Sequence, residues 1–252
     1  MSPARARTGA PAAVLDRAVD VLGCFDGRYE LSLTELAELS RLPLSTCHRI
    51  VATLEAAGFL ARGSDRRYRV GTALWTIAQH APLSMRLRES ALPALARLYE
   101  ETGENVTLAV LDRGRALYVE RLMGERSIPT VSRAGAHLPL HTTGVGKVLL
   151  AYESPEAIEQ YLARPLGRPT VESIADPQRL RRDLELVRAR GYAVTRQEMT
   201  VGSGSIAVPI LHDGRCVASV GVIVHLARLD VNRLVATLAS ASASIAAELD
   251  RL

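Results

Sequence analysis

Two short helices joined by the turn RLP dominate the first quarter of the sequence. The stretch from Ser32 to Glu35, SLTE, fits a capping box, because the hydroxyl and the carboxylate three residues later satisfy each other's free backbone amides. The helix that begins there runs to about Ser40. The next helix begins near Leu44 or Ser45 and stops at Gly58, since glycine is a common C-terminal signal.

The elements on either side of these two helices complete a recognisable order. Before them, apolar residues at helical spacing predict a first helix, which the turn DGRYE ends: Leu15, Ala18, Val19 and Leu22. After them, FLARG and RRYRVG predict two short strands joined by a polar turn. Helix, helix, short turn, helix and basic hairpin is the order of a winged helix-turn-helix.

The rest of the chain alternates between strands and helices. Strand pairs turn tightly at Arg113-Gly114 and Asp213-Gly214, and Leu229 to Leu252 predicts a terminal helix. Strands joined by tight turns favour an antiparallel sheet flanked by helices, an α+β fold. The predicted organisation is a flexible tail (1–12), a helix-rich winged helix-turn-helix domain (13–71), a linker helix (72–83) and a second, α+β domain (84–252).

The adjacent pair Cys47 and His48 suggests a nucleophile with its base, or half of a metal site. At about 100° per residue, Cys47 instead shares an arc with the apolar residues Ile50, Val51 and Leu54. His48 lies roughly a quarter-turn away and cannot share a proton or a ligand with the thiol. We therefore predict that this pair has neither a catalytic nor a metal-binding role.

The opposite arc of the same helix carries hydroxyls and basic groups. Its polar members are Ser45, Thr46, Arg49 and Thr53, with His48 at its edge. Such a face suits contact with base edges in the major groove of DNA, although a solvated face of a small helical domain would look similar. The following hairpin favours DNA, because its closely spaced arginines suit phosphate contact: Arg62, Arg66, Arg67 and Arg69.

Cysteine spacing and hydropathy argue against a disulfide-stabilised protein, a structural zinc site and a membrane-spanning protein. Lys147 is the single lysine among 31 basic residues, and the net charge is +4. Three scattered cysteines without CxxC spacing argue against a disulfide framework and a structural zinc. The longest apolar runs are too short to span a bilayer, and the N-terminus has no apolar signal region. We expect a cytoplasmic protein with no membrane partner.

Five blocks of sequence, in order, resemble the IclR family of bacterial transcription regulators. The blocks are LDRAVDVLGCF, LTELAELSRLPLSTCHRIVATLEAAGFLAR, YRVGTALWTIA, LPLHTTGVGKVLLAY and GSGSIAVPILHDGRCVASVGVIV. The resemblance implies a GAF/PAS-like effector-binding domain at residues 84–252 and no cofactor. It also implies homodimers or homotetramers that bind a double-stranded DNA operator as repressors or activators. A small organic acid would act as the effector.

The motif TTGVGK is the predicted centre of the effector site. It is not a phosphate-binding P-loop, because His141 and Val148 stand where glycine and Ser or Thr are required. A glycine-rich turn that opens a helix still offers free amides to an anion, although glycine there also fits a purely structural tight turn. By resemblance, the amides of Gly144 and Val145 hold the effector carboxylate. The other positions carried over are Leu138, Thr195, Ser205, Gly221 and Ile223.

This sequence departs from some family members at the effector site. Thr195 and Ser205 stand where an acidic residue and a cysteine can occur, and Gly221 and Ile223 stand where serines can occur. We therefore expect a less acidic pocket, with a less polar wall at the last two positions. A carboxylate with an apolar or aromatic body would suit it better than a very small acid such as glyoxylate.

Two chemical alternatives remain at this stage. His137 and His141 are four residues apart, but Pro139 and the predicted loop between them argue against a helical metal pair. The rival to a regulator is an enzyme that turns over a small acid in the second domain. It would need an acid/base pair near Gly144, for which Glu198 and His141 are the candidates.

Overall fold

A computed structural model describes residues 14–78, 82–124, 130 and 132–251. The predicted tail at 1–12 and residues 79–81 of the predicted linker helix lie outside the described residues. The chain divides into two compact units, residues 1–85 and 86–252. No helix in the described ranges is long and apolar enough to cross a membrane.

The first unit has the predicted order of helices and hairpin. Its elements are α1 (Val14–Gly23), α2 (Leu33–Ser40), α3 (Leu44–Ala56), β1 (Leu60–Arg62), β2 (Tyr68–Val70) and α4 (Thr72–Ala78). The capping box is confirmed, because the Ser32 hydroxyl accepts from the Glu35 amide and the Glu35 carboxylate accepts from the Ser32 amide. Gly58 follows α3 with φ +72°, in the left-handed region that favours glycine.

A small apolar core holds the three helices and the hairpin together. Val21, Leu36, Val51 and Leu60 are buried within it, each from a different element. The hairpin is antiparallel, and an isolated bridge joins Tyr68 of β2 to Leu31, just before α2. The hairpin is thus attached directly to the start of α2.

The second unit is built on a six-stranded antiparallel sheet with the strand order β5-β4-β3-β8-β7-β6. The strands are β3 (Asn105–Asp112), β4 (Arg115–Leu122), β5 (His137–Leu138), β6 (Ala193–Arg196), β7 (Ser203–His212) and β8 (Arg215–His225). The helices are α5 (Pro82–Thr102), α6 (Gly144–Ala151), α7 (Pro155–Leu162), α8 (Pro177–Arg190) and α9 (Val231–Leu249). The predicted turns at Arg113-Gly114 and Asp213-Gly214 are confirmed, with positive φ at all four residues.

The two faces of the sheet pack against different helices. Alternate strand residues such as Leu108, Val220 and Ile206 form one core with α5 and α9. The residues between them, such as Ala109 and Ala207, face a second core with α6, α7 and α8. Because side chains alternate along a strand, the sheet separates a mainly apolar layer from the layer that contains TTGVGK.

Three features differ from the local sequence patterns. Residues His137 and Leu138 form the edge strand β5 instead of a loop, because they pair with Leu117 and Ala116 of β4. The helix α7 was not predicted. The terminal helix begins at Val231, later than predicted, because the Asp230 side chain caps it and a 3₁₀ turn (Leu226–Arg228) precedes it.

Candidate functional sites

Helix α3 separates a buried side from an exposed side, as predicted. Cys47 is fully buried in the core of the first unit, and burial raises the pKa of its thiol. A buried thiol with a raised pKa does not form the reactive thiolate that nucleophilic catalysis needs. His48 is exposed, so the two neighbouring side chains have no common function.

The exposed side of α3 carries the five polar residues predicted to contact DNA. Ser45, His48, Arg49 and Thr53 are exposed, and Thr46 is partly exposed. The Thr53 hydroxyl donates to the backbone carbonyl of Arg49 at 3.0 Å, so its proton is already used within the helix. The side chain of Thr53 is therefore left with acceptor capacity and a methyl group.

The four hairpin arginines fall into two pairs. Arg62 and Arg66 are exposed; the guanidinium of Arg62 lies 5.4 Å from the centre of the Tyr68 ring, and Arg66 has φ +63° in the turn. Arg67 and Arg69 are instead held in ion pairs with acidic residues. In the sequence the four arginines look equivalent. The structure divides them into an exposed pair and an ion-paired pair.

Acidic residues next to α2 hold the second pair. Arg67 Nη2 lies 2.8 Å from Glu35 Oε2, and Arg67 Nε lies 3.4 Å from Glu30. Arg69 Nη2 lies 2.9 Å from Glu30 and 3.4 Å from Asp65. Glu35 therefore caps α2 and anchors the hairpin at the same time. This arrangement was not visible in the sequence, because the partners lie more than thirty positions apart for three of these four contacts.

The second unit contains a cavity between the sheet and the start of α6, with about 430 Å³ of empty space, part of which is open to solvent. All seven positions carried over from the family resemblance line it: Leu138, Gly144, Val145, Thr195, Ser205, Gly221 and Ile223. They come from four strands and one helix that are far apart in sequence. The fold therefore brings together the complete predicted set.

Further residues line the cavity that the sequence analysis did not select: Thr107, Tyr118, Thr130, Ser132, Thr142, Thr143, Met199, Thr200, Ser203, Ile206 and Val222. Hydroxyl groups dominate this set, so the weak polarity of Gly221 and Ile223 is offset on other walls. Thr107 is the one polar residue inside the apolar run VTLAV. This break in the pattern could have identified it as a cavity residue from the sequence.

The amino end of α6 supplies an anion-binding geometry at one end of the cavity. The Thr143 hydroxyl accepts from the Gly146 amide at 3.2 Å, and the Thr143 carbonyl accepts from the Lys147 amide. The amides of Gly144 and Val145 are first-turn groups that no helical hydrogen bond uses. Free amides and the positive end of the helix dipole both favour a negatively charged ligand there.

At both glycines of this turn, a Cβ atom would clash with neighbouring atoms. A Cβ on Gly146 would lie 2.4 Å from Thr143 Oγ1 and 2.6 Å from the backbone of Leu140. A Cβ on Gly144 would lie 2.7 Å from Ser205 Oγ, on the cavity side. Gly146 therefore permits the turn, and Gly144 keeps the end of the cavity open.

A hydroxyl pair stands beside Gly144. Thr195 Oγ1 and Ser205 Oγ are 2.6 Å apart, so one hydroxyl donates to the other. The proton of the second hydroxyl is not used in this pair. This hydroxyl and the amides of Gly144 and Val145 are three hydrogen-bond donors at this end of the cavity. Neither Thr195 nor Ser205 brings a carboxylate.

Behind the cavity, Lys147 forms a buried triad with Asp183 and Glu198. Lys147 is fully buried, and its Nζ lies 2.6 Å from Asp183 and 2.8 Å from Glu198. The triad connects α6 and α8 to the segment whose Met199 and Thr200 line the cavity. Burial raises the pKa of Glu198, although the charge of Lys147 opposes that rise.

The two histidines considered for metal binding have separate partners. His137 Nε2 lies 2.7 Å from Asp112 Oδ2. His141 Nε2 lies 2.8 Å from the carbonyl of Gly167, which it can reach only as a donor, so Nδ1 accepts from the Tyr161 hydroxyl at 2.8 Å. Burial lowers the pKa of His141. Both nitrogens are occupied away from the cavity, and no group of three potential metal ligands occurs among the described residues.

Comparison with known proteins covers both units. Residues 14–64 match the family model described as the IclR helix-turn-helix domain. Residues 79–251 match the model described as the C-terminal region of bacterial transcriptional regulator IclR. The two matches follow the order of the two units along the chain.

Individual relatives agree with the family models. The chain is 36% identical over 201 residues to the HTH-type transcriptional regulator BhcR of Paracoccus denitrificans, covering 78% of this chain and 71% of BhcR. It is 31% identical over 189 residues to the transcriptional repressor IclR of Escherichia coli, covering 73% and 69%. A crystal structure of an IclR homolog from Microbacterium hydrocarbonoxydans, complexed with 4-hydroxybenzoate, superposes with TM-score 0.91 at 32% identity, covering 95% of this chain and all of that one.

Proposed function

Because this chain belongs to the IclR family of bacterial transcriptional regulators, we propose that a small carboxylic acid in its cavity controls its binding to a DNA operator. The chain is a regulator with a helix-turn-helix domain and an IclR C-terminal domain, and it is not an enzyme. The observation that carries the proposal is the convergence of all seven resemblance-derived positions on the cavity at the amino end of α6.

We place the DNA contact on α3 and the hairpin. The amino-terminal half of α3 carries Ser45, Thr46, His48 and Arg49, with Thr53 one turn further on, and these side chains reach base edges. Arg62 and Arg66, which are exposed and not held in an ion pair with a described residue, contact phosphates. Arg67 and Arg69 hold the hairpin in place and contribute long-range positive charge.

Two copies of the chain bind the operator together. Isolated helix-turn-helix units usually read paired half-sites as dimers. The exposed apolar side chains of the first unit support self-association: Trp75 of α4 is 65% exposed, and Leu15 of α1 is 74% exposed. Sedimentation equilibrium distinguishes a dimer from a tetramer.

The effector is a carboxylate with an apolar body. The amides of Gly144 and Val145 and the Thr195–Ser205 pair hold the carboxylate, and Leu138, Ile223 and Met199 contact the body. The complex of the Microbacterium homolog with 4-hydroxybenzoate supports an aromatic body for this chain too. Such an acid changes DNA affinity only if it binds the two arrangements of the protein with different affinities.

The test combines selection of DNA with a ligand screen. An operator is first selected from random-sequence DNA, and fluorescence anisotropy then gives its affinity with and without each acid in a panel. We expect at least one acid with an apolar body to shift operator affinity more than fivefold, while glyoxylate does not. Binding of no DNA above the non-specific level would contradict the regulator; an unchanged operator affinity with every acid would contradict effector control.

The geometry gives no support to turnover of the bound acid. Glu198 is committed to Lys147, and His141 to Tyr161 and Gly167, so neither candidate acts as an acid or a base at Gly144. Recovery of the acid unchanged after prolonged incubation with the protein checks this point by chromatography.

A further inference from the structure

Behind the end of the cavity that lies away from the Thr195–Ser205 pair, two buried nitrogen donors have no hydrogen-bond partner among the described residues. Asn105 is fully buried, and its Nδ2 has no hydrogen-bond partner within the described part of the chain. The Nε of Arg121 is also buried and without a partner there. Native proteins pair nearly all buried polar atoms, so two orphaned donors side by side indicate an acceptor from outside the chain.

The register of the sheet places both donors beside residues that line the cavity. Arg121 of β4 stands opposite Thr107 of β3, and residues opposite each other share a face of the sheet. Asn105 lies two residues before Thr107 and is on the same face. Thr107 and Ser132 line the cavity. The guanidinium of Arg121 donates to the Ser132 carbonyl and, at 3.3 Å, to Asn105 Oδ1.

Arg121 also brings a positive charge that no carboxylate balances among the described residues. Its two hydrogen bonds go to a carbonyl and to an amide oxygen. Burial lowers the pKa of Arg121, and Tyr118 has a smaller, opposing effect on it. None of the described residues that line the cavity is charged. A partly buried cation in such surroundings favours an anion.

This second end is separated from the Thr195–Ser205 pair by the width of several strands. The pair Thr195–Ser205 lies on β6 and β7, whereas Arg121 lies on β4, with β8 and β3 between them. Strands are about 4.8 Å apart, so β7 and β4 are roughly 14 Å apart. Side chains that reach inward from both ends leave room for a body about as long as one aromatic ring.

We propose that the effector is a dicarboxylic acid. This rests on the proposed function, in which one carboxylate binds the amides of Gly144 and Val145; the second carboxylate lies beside Ser132, Asn105 and Arg121. A carboxylate only accepts hydrogen bonds, and this end offers donors. A neutral hydroxyl could accept from these donors, but it would leave the positive charge of Arg121 unbalanced.

Calorimetry on the full chain with three acids tests the proposal. The probes are benzoate, 4-hydroxybenzoate and benzene-1,4-dicarboxylate, which share a ring and differ at the far end. We expect the dicarboxylate to bind at least tenfold more tightly than either monoacid. Arg121→Met should remove most of that advantage and leave benzoate affinity within twofold. The matched control is Arg196→Met, an exposed arginine on β6 next to Thr195, which should change none of the three affinities.

A second variant keeps the test decisive if Arg121→Met does not fold. Asn105→Asp is nearly isosteric and supplies a carboxylate that neutralises Arg121 and repels the ligand. It should weaken the dicarboxylate at least tenfold and benzoate less than threefold. A dicarboxylate that binds no better than benzoate, or equal losses of both acids in Asn105→Asp, would overturn this inference alone. If none of the acids binds, the proposed function fails as well.

Discussion

The two recognition regions of this molecule use polar groups in opposite ways. The DNA-contacting region presents exposed side chains, Arg49 and Arg66 among them, on a small helical core. The cavity uses backbone amides and hydroxyls, and the buried cation of Lys147 and the partly buried cation of Arg121 lie behind its lining. An exposed cation is stabilised by water and is free to bind, whereas a buried one must first be compensated within the fold. Substitutions in the first region should therefore change binding alone, and those in the second should change folding as well.

The largest expected effect is on stability, at the buried triad. Lys147→Met leaves Asp183 and Glu198 without their cation and should lower the free energy of unfolding by about 3–5 kcal/mol at pH 8. The pKa of Glu198 is already raised by burial, and it should rise further in the variant. The folded state then binds a proton more tightly than the unfolded state, so stability falls as pH rises through the raised pKa.

Urea unfolding at pH 5 and pH 8 measures this effect. The deficit of Lys147→Met should be larger at pH 8 than at pH 5, where Glu198 can be protonated. Arg49→Ala is the matched variant from the exposed region and should leave stability unchanged at both values. A deficit that is the same at both pH values would show that the charges of the triad are not coupled.

The next largest effect is on ligand binding, at the amino end of α6. Gly144→Ala places a Cβ 2.7 Å from Ser205 Oγ and narrows the carboxylate end of the cavity, so affinity for an acid ligand should fall about 100-fold, or about 2.7 kcal/mol. Gly167→Ala is the control, since a Cβ there meets no atom within 4 Å. Adding Ser205→Ala should recover part of the loss; calorimetry with benzoate measures all three. Full affinity in Gly144→Ala would place the carboxylate elsewhere.

A smaller effect is expected for base recognition by α3. Arg49→Ala should weaken operator binding by about 1–3 kcal/mol and random DNA much less, if Arg49 contacts a base edge. Anisotropy with the selected operator and a shuffled duplex gives the two losses. Equal losses on both duplexes would assign Arg49 to phosphate contact instead.

The smallest effect separates the two pairs of hairpin arginines. Arg66→Ala should reduce the slope of log affinity against log salt by about one. Arg67→Ala should reduce the slope by less, because its guanidinium is engaged with Glu35 and Glu30. Titrations at several salt concentrations compare the two variants on the same duplex. Identical slopes would mean that DNA binding breaks the ion pairs of Arg67.

Local sequence patterns predicted most of the fold. The capping box at Ser32, the end of α3 before Gly58 and the turns at Arg113-Gly114 and Asp213-Gly214 all depend on residues close together in the chain, and each is present. The edge strand at His137 was missed, because its pairing depends on β4, some twenty positions away.

The sites were predicted less completely, for the same physical reason. The exposed side of α3 follows from helical periodicity alone, so its residues could be selected from the sequence. The pairing of Arg67 with Glu35 and the position of Asn105 behind the cavity depend on tertiary packing. Resemblance identified seven positions of the cavity, but it did not include the buried donors at the other end.

The burial of Lys147 determines how the folded chain reacts with reagents that modify lysine side chains. It is the only lysine, and none of its surface is accessible. Acylating labels, amine-to-amine cross-linkers and lysine acetyltransferases therefore find no side chain to modify on the native protein. Conversely, the appearance of a modified Lys147 in a mass spectrum after brief exposure to such a reagent reports the opening of the core around α6, with no need for an introduced probe.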